Sequence, residues 1–139
     1  GALRDLHSFP TRRSSDLGTR FHRVVPGFMI QGGDPNSRSE DRATWGQGET
    51  ETKLEPEANG LHHFAGVLSA AKMPGETQSS GCQFFLTTNA AHHLDGEHVV
   101  FGAVVEGLEV VRKISEGALR EGTGDQPQAP ATLIATTVL

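Results

Sequence analysis

The sequence predicts a mainly β domain, a small antiparallel barrel or sandwich carrying one short helix. Three observations carry that reading. The 17 glycines and 7 prolines fall between short apolar segments, as turns between strands do. Those segments are rich in β-branched and aromatic residues. Only one stretch has a helical period: Leu108, Val111 and Ile114 form a stripe with Arg112 and Lys113 off it, which predicts a helix over residues 108–115. Several strands with a single late helix do not alternate as an α/β fold requires.

The elements follow in order. Residues 20–24 form a short strand, Val25-Pro26-Gly27 a turn, and residues 28–31 a second strand ended by Gly32-Gly33-Asp34-Pro35. A hairpin centred near Gly27 sets Arg23 opposite Gln31 with both side chains on one face. Residues 36–60 are polar and rich in charge, and read as a long surface excursion with room for one short strand. Residues 66–71 are the next strand, and residues 72–81 a loop. In the strand at 83–87, Gln83, Phe85 and Thr87 share one face and Phe84 and Leu86 take the other. Asp95-Gly96 introduces a strong strand at 98–105, and a β-branched strand at 133–139 closes the chain.

Composition narrows the class further. A chain of 139 residues, 35% hydrophobic and 21% charged, is an ordinary soluble globular domain. No apolar run approaches the ~18 to 20 residues of a membrane-spanning helix. The net charge of −5 is mixed along the chain, which argues against a nucleic-acid binder, whose phosphate contacts need a basic face. Cys82 is the only cysteine, so no internal disulfide forms, and its place in a strand suggests a packed thiol. The pairs His62-His63 and His92-His93, with His98, have neither an i,i+4 partner nor a second cysteine. Adjacent residues on a strand point to opposite faces, so neither pair makes a two-ligand site and no metal is expected.

Residues 1–17 read differently from the rest. They carry no apolar period, and the string from His7 to Leu17 resembles a widely used sequencing-library adapter translated in frame. The expectation is that residues 1–17 are foreign, that the domain spans residues 18–139, and that its natural start is missing.

Four blocks then decide the family. They are Phe21-His22-Arg23-Val24-Val25-Pro26-Gly27-Phe28-Met29-Ile30-Gln31-Gly32-Gly33-Asp34, Gly66-Val67-Leu68-Ser69-Ala70-Ala71, Ser80-Gly81-Cys82-Gln83-Phe84-Phe85, and His93-Leu94-Asp95-Gly96-Glu97-His98-Val99-Val100-Phe101-Gly102. In this order they resemble the signature of cyclophilin-type peptidyl-prolyl cis/trans isomerases. The resemblance implies a cyclophilin-like antiparallel β-barrel, which in the family has eight strands and two capping helices; two strands and a helix would be missing here. It also implies a monomer without cofactor that acts on X-Pro bonds in peptides and unfolded chains and assists folding. Arg23 takes the position of the catalytic arginine, with Phe28 and Gln31 beside it, and Phe28, Met29, Phe85 and Leu94 take those of the proline pocket. Gln83, His93 and His98 correspond to residues around the bound peptide, and Ala71 with Lys72 to the backbone segment that pairs with it. Two departures stand out. His93 replaces a tryptophan that contacts cyclosporin in many eukaryotic members, so the resemblance does not extend to tight cyclosporin binding. Lys72 stands where asparagine is common, in a loop slightly longer than the human-type pattern.

The chemistry suits these residue types. Rotating an X-Pro bond breaks amide resonance against a barrier of ~18 to 20 kcal/mol. An enzyme therefore needs an apolar socket for the ring and a fixed donor for the prolyl nitrogen, whose lone pair localises as the amide twists. Arginine stays charged and its fork is rigid. Singly, an arginine on a strand is a solvated edge residue and a phenylalanine a core residue; the joint pattern argues otherwise. The alternative is a module that binds proline peptides without turning them over.

Overall fold

The computed structural model describes residues 17–57, 59–134 and 136. Its strands are β1 (Arg23–Val25), β2 (Met29–Gly32), β3 (Val67–Ala70), β4 (Phe84–Thr87) and β5 (Val100–Ala103). They form one antiparallel sheet in the order β1-β2-β4-β3-β5. Among the described residues the ladder is open between β5 and β1, so the mainly β expectation holds without a hydrogen-bonded closure.

The first hairpin has the expected register. Gly27 adopts φ +76°, where a side chain would be strained, and the Phe28 N–H donates to the Val25 carbonyl at 3.0 Å. That turn sets Arg23 opposite Gln31 and Val24 opposite Ile30. Val24 and Ile30 are fully buried and join Leu68, Phe84, Leu86, Phe101 and Val111 in the main core. Phe85, on the opposite face of β4, joins Met29 and Ala71 in a second, smaller cluster. The alternation read from residues 83–87 thus sorts two apolar layers.

The single helix, α1 (Leu108–Ser115), has the predicted bounds. Val111 is buried in the core, and Leu108 and Ile114 pack against it. Strands are shorter than predicted where side segments take over their hydrogen bonds. Phe21 N–H donates to the Ala131 carbonyl at 2.9 Å and Arg20 bridges to Thr132, so residues 18–21 pair with residues 131–133 before β1 begins. The predicted strand at 133–139 contributes Leu133, bonded to Gly18 and Thr19; residues 135 and 137–139 lie outside the described residues. Ser80 Oγ accepts from the N–H groups of both Cys82 and Gln83, holding a bend that delays β4 to Phe84. Cys82 is therefore buried in that bend and not in a strand.

The polar excursion after β2 is less superficial than its composition suggests. Short 3-10 turns at Pro35–Arg38 and Arg42–Thr44 fold it back on the sheet. Buried Asp34 accepts from the N–H groups of Asn36 and Gly46. Gly48 crosses so close that a Cβ there would meet Asp34 Oδ1 at 1.9 Å. Trp45 is buried with the Arg20 and Arg42 guanidinium groups 5.3 and 4.9 Å from its ring. The one short strand allowed for is an isolated bridge, Leu54 to Ser79. No helix among the described residues is long and apolar enough to cross a membrane.

Candidate active site

Antiparallel registry aligns a row of side chains across the sheet. Arg23 faces Gln31, Gln31 faces Phe85, and Phe85 faces Ser69. Met29 lies on the same face of β2 as Gln31, two residues away. Over this row opens a cleft of about 240 Å³ lined by Arg23, Phe28, Met29, Gln31, Ala71, Lys72, Phe85, Leu94 and His98. Phe28 comes from the hairpin turn, Leu94 from the 3-10 turn His92–Leu94, and His98 from the approach to β5. The cleft has an aromatic and aliphatic floor with one guanidinium at its edge.

That guanidinium is held from two sides. Arg23 Nε donates to Asp125 Oδ2 at 2.7 Å, and Nη1 reaches Gln31 Oε1 at 3.4 Å. Nη2 has no partner among the described residues, so the fork keeps donors to spare. Behind it, Gln31 Nε2 donates to Gln83 Oε1 at 3.0 Å. Gln83 Nε2 in turn donates to the carbonyls of Gly46 and Gly48, at 3.1 and 2.7 Å. A relay of amides thus ties the arginine to the backbone of the folded-back excursion.

Two of the predicted residues fall outside the cleft lining. Gln83 is buried behind Gln31, and His93 is exposed at the rim with its ring 5.5 Å from Phe28. Ala71 is in the wall, but its N–H is taken by the Gln83 carbonyl and its carbonyl accepts from Ser80. Lys72 Nζ donates to the Glu97 carbonyl at 2.7 Å, closing one side of the cleft. His98 Nδ1 bonds the Ala70 carbonyl at 3.1 Å and its ring stands edge-on to Phe85. Burial lowers its pKa below the usual 6.5 against the upward pull of that bond, so His98 is neutral at neutral pH.

Some residues that shape the cleft were missed in the sequence. Asp125 lies in a glycine-rich turn that carries no motif, and only the fold brings it to Arg23. Buried His63 stacks on Phe85 at 6.0 Å and 9°, bonded on one nitrogen to Asp95 and on the other to Ser69. Reading His62-His63 and His92-His93 only as neighbours along a strand hid a meeting between segments. His62, His63 and His92 all converge on the Asp95 carboxylate. Packing around Asp95 raises its pKa, but the bonds from His62, His63 and His92 outweigh it and hold the carboxyl well below its usual range.

The open-edged β domain and its arginine-edged aromatic cleft define a cyclophilin-like class. The family model for the cyclophilin type peptidyl-prolyl cis-trans isomerase matches residues 12–138, and the chain belongs to that family. A Schizosaccharomyces pombe peptidyl-prolyl cis-trans isomerase is 40% identical over 127 residues, which cover 88% of this chain and 75% of that protein. A peptidyl-prolyl cis-trans isomerase-like 2 of Cryptococcus neoformans is 41% identical over 86% of this chain; the chain spans only 20% of that longer relative. Among solved structures, a Cryptosporidium parvum cyclophilin type isomerase crystallised in the presence of the dipeptide Ala-Pro is 27% identical, with a TM-score of 0.74 over 88% of this chain and 75% of that one.

Proposed function

We propose that the domain accelerates cis/trans rotation about X-Pro bonds in peptides and unfolded chains, with Arg23 as the catalytic donor. The observation that carries this is the Arg23 guanidinium, fixed by Asp125 and Gln31 at the edge of a cleft floored by Phe28, Met29, Phe85 and Leu94. The proline ring sits in that apolar socket. As the amide twists, its nitrogen lone pair localises and accepts from the guanidinium, so binding favours the twisted state over the planar one. A ~10⁵-fold acceleration asks for about 7 kcal/mol of such preference. Gln31 and Gln83 are positioning residues that hold the fork. His98, His93 and the Ala71–Lys72 wall contact the peptide around the proline, with backbone pairing left mainly to Lys72. The domain works as a monomer on proline-containing peptides and needs neither nucleic acid nor membrane. We assign the isomerase domain to residues 18–139; deleting residues 1–17 should leave kcat/KM unchanged.

A protease-coupled isomerisation assay on an X-Pro peptide tests the assignment. Arg23→Ala should lower kcat/KM by about 10²-fold or more. Its side chain is 43% exposed in an ion pair with a partner 41% exposed, so the melting temperature should scarcely move. Arg23→Lys should rescue little, because a point charge cannot hold both Asp125 and Gln31. Equal rates for wild type and Arg23→Ala, with peptide still bound, would make this a binding module.

A further inference from the structure

We propose that His62, His92 and Asp95 form a surface site for a divalent transition-metal ion of the zinc type. His62 Nδ1 lies 2.8 Å and His92 Nδ1 2.9 Å from the same atom, Asp95 Oδ2, and the three ligand atoms all fall within 4.8 Å of one another. Two imidazole nitrogens and a carboxylate oxygen are a three-ligand set that leaves a fourth position open to water. Imidazole selects zinc, copper, nickel or cobalt over magnesium and calcium, which prefer all-oxygen sites.

The distances are within reach of coordination. Metal–ligand bonds of about 2.0 to 2.2 Å put neighbouring ligands of a tetrahedron roughly 3.4 Å apart. Each nitrogen must therefore withdraw from Oδ2 by about half an ångström on that geometry. The two rings can do so, because their side chains are 59% and 52% exposed. In the metal-free protein each Nδ1–H donates to Asp95, so binding the ion requires each ring to hold its proton on Nε2 instead and to turn the Nδ1 lone pair to the metal.

Asp95 is the fixed member. Its second oxygen, Oδ1, accepts from the His63 N–H at 2.7 Å and from His63 Nδ1 at 2.8 Å. His63 is itself fully buried and anchored through Nε2 to Ser69 Oγ at 3.0 Å. A ligating carboxylate oriented by a buried group through its other oxygen is the arrangement that tunes metal sites. The Phe64 ring, 5.1 Å from His92 and 6.2 Å from His62, walls the two imidazoles. The site is independent of the isomerase assignment, since none of its three ligands lines the cleft.

The full chain, stripped with chelator, is titrated with zinc chloride by calorimetry at pH 7.5, and with cobalt chloride by visible absorption. One zinc ion per chain should bind with a dissociation constant in the micromolar range or below, cobalt should give d–d bands of low-coordinate geometry, and magnesium should not compete. His62→Gln and His92→Gln should each weaken zinc binding about tenfold or more, while His93→Gln leaves it unchanged. Zinc should raise the melting temperature of wild type and not that of the double variant, whose metal-free melt should match wild type because both rings are exposed. Absence of saturable zinc binding, or equal affinity and equal thermal shift in wild type and the double variant, would overturn the site.

Discussion

The two faces of β4 are made by one strand of four residues and do opposite work. On one face Phe84 and Leu86 join the main apolar core, with Phe21 edge-on to Phe84 at 6.2 Å. On the other, Phe85 lies between the imidazoles of His63 and His98 and borders an open cleft. The polar groups around it are satisfied one by one: Gln83 by Gly46 and Gly48, His63 by Asp95 and Ser69, and Thr87 Oγ1 by the Phe64 carbonyl at 2.7 Å. The core face needs only shape and apolar volume. The cleft face needs every buried polar partner in place, because each one left unpaired costs stability and loosens the site.

The sharpest way to break this comparison is to truncate both phenylalanines. Phe84→Ala should destabilise the domain by about 3 to 5 kcal/mol, since it leaves a closed cavity under the sheet. Per folded molecule, its isomerase rate should stay near wild type. Phe85→Ala should cost less stability, because its space opens into a cleft that water already reaches. It should instead lower kcat/KM steeply by removing the socket floor. Urea denaturation with activity measured on the same samples checks both. Equal losses of stability and rate for the two variants would erase the distinction between faces.

A smaller effect isolates the polar relay. Gln83→Glu keeps the side chain's size but replaces the two donors aimed at the Gly46 and Gly48 carbonyls with acceptors. It should cost about 1 to 3 kcal/mol and lower kcat/KM, because repulsion from the two carbonyls displaces the side-chain oxygen on which Gln31, and through it Arg23, is held. Gln83→Leu, apolar and of similar volume, should cost the same amount or less. A rate unchanged in both would show that Arg23 does not depend on the relay.

How far the sequence could be read follows the same division. The hairpin register, the β4 alternation and α1 were legible because each is a local period or a turn with its own chemistry. Arg23, Phe28, Met29, Gln31, Phe85 and Leu94, named from the sequence blocks, line one cleft. What stayed hidden is carried by contacts distant in the chain. Asp125 reaches Arg23 across 102 residues, and Asp95 meets His62 across 33. The polar excursion looked like surface because its burial depends on three points, Asp34, Trp45 and Gly48, that no local pattern marks.

His22 tests the boundary between the two regimes. It precedes Arg23 in the chain, is 5% exposed, and neither ring nitrogen has a partner among the described residues. Desolvation lowers its pKa from 6.5, against the upward pull of Asp34, of the nearby Arg20 backbone and of Asp125, and with a further push from Arg23. The unfolded chain therefore takes up a proton more readily than the folded one below about pH 6.5. Stability contributed by the neutral ring is present above that value and is lost as pH falls through it toward the lower folded pKa. The urea midpoint of wild type should drop between pH 7.5 and pH 5, and His22→Leu should drop less over the same range. Because Leu keeps the volume and removes both orphaned nitrogens, it should also match or exceed wild type at pH 5. Parallel pH slopes for the two proteins would mean that the buried imidazole is satisfied after all, and that it belongs with the partnered cleft face.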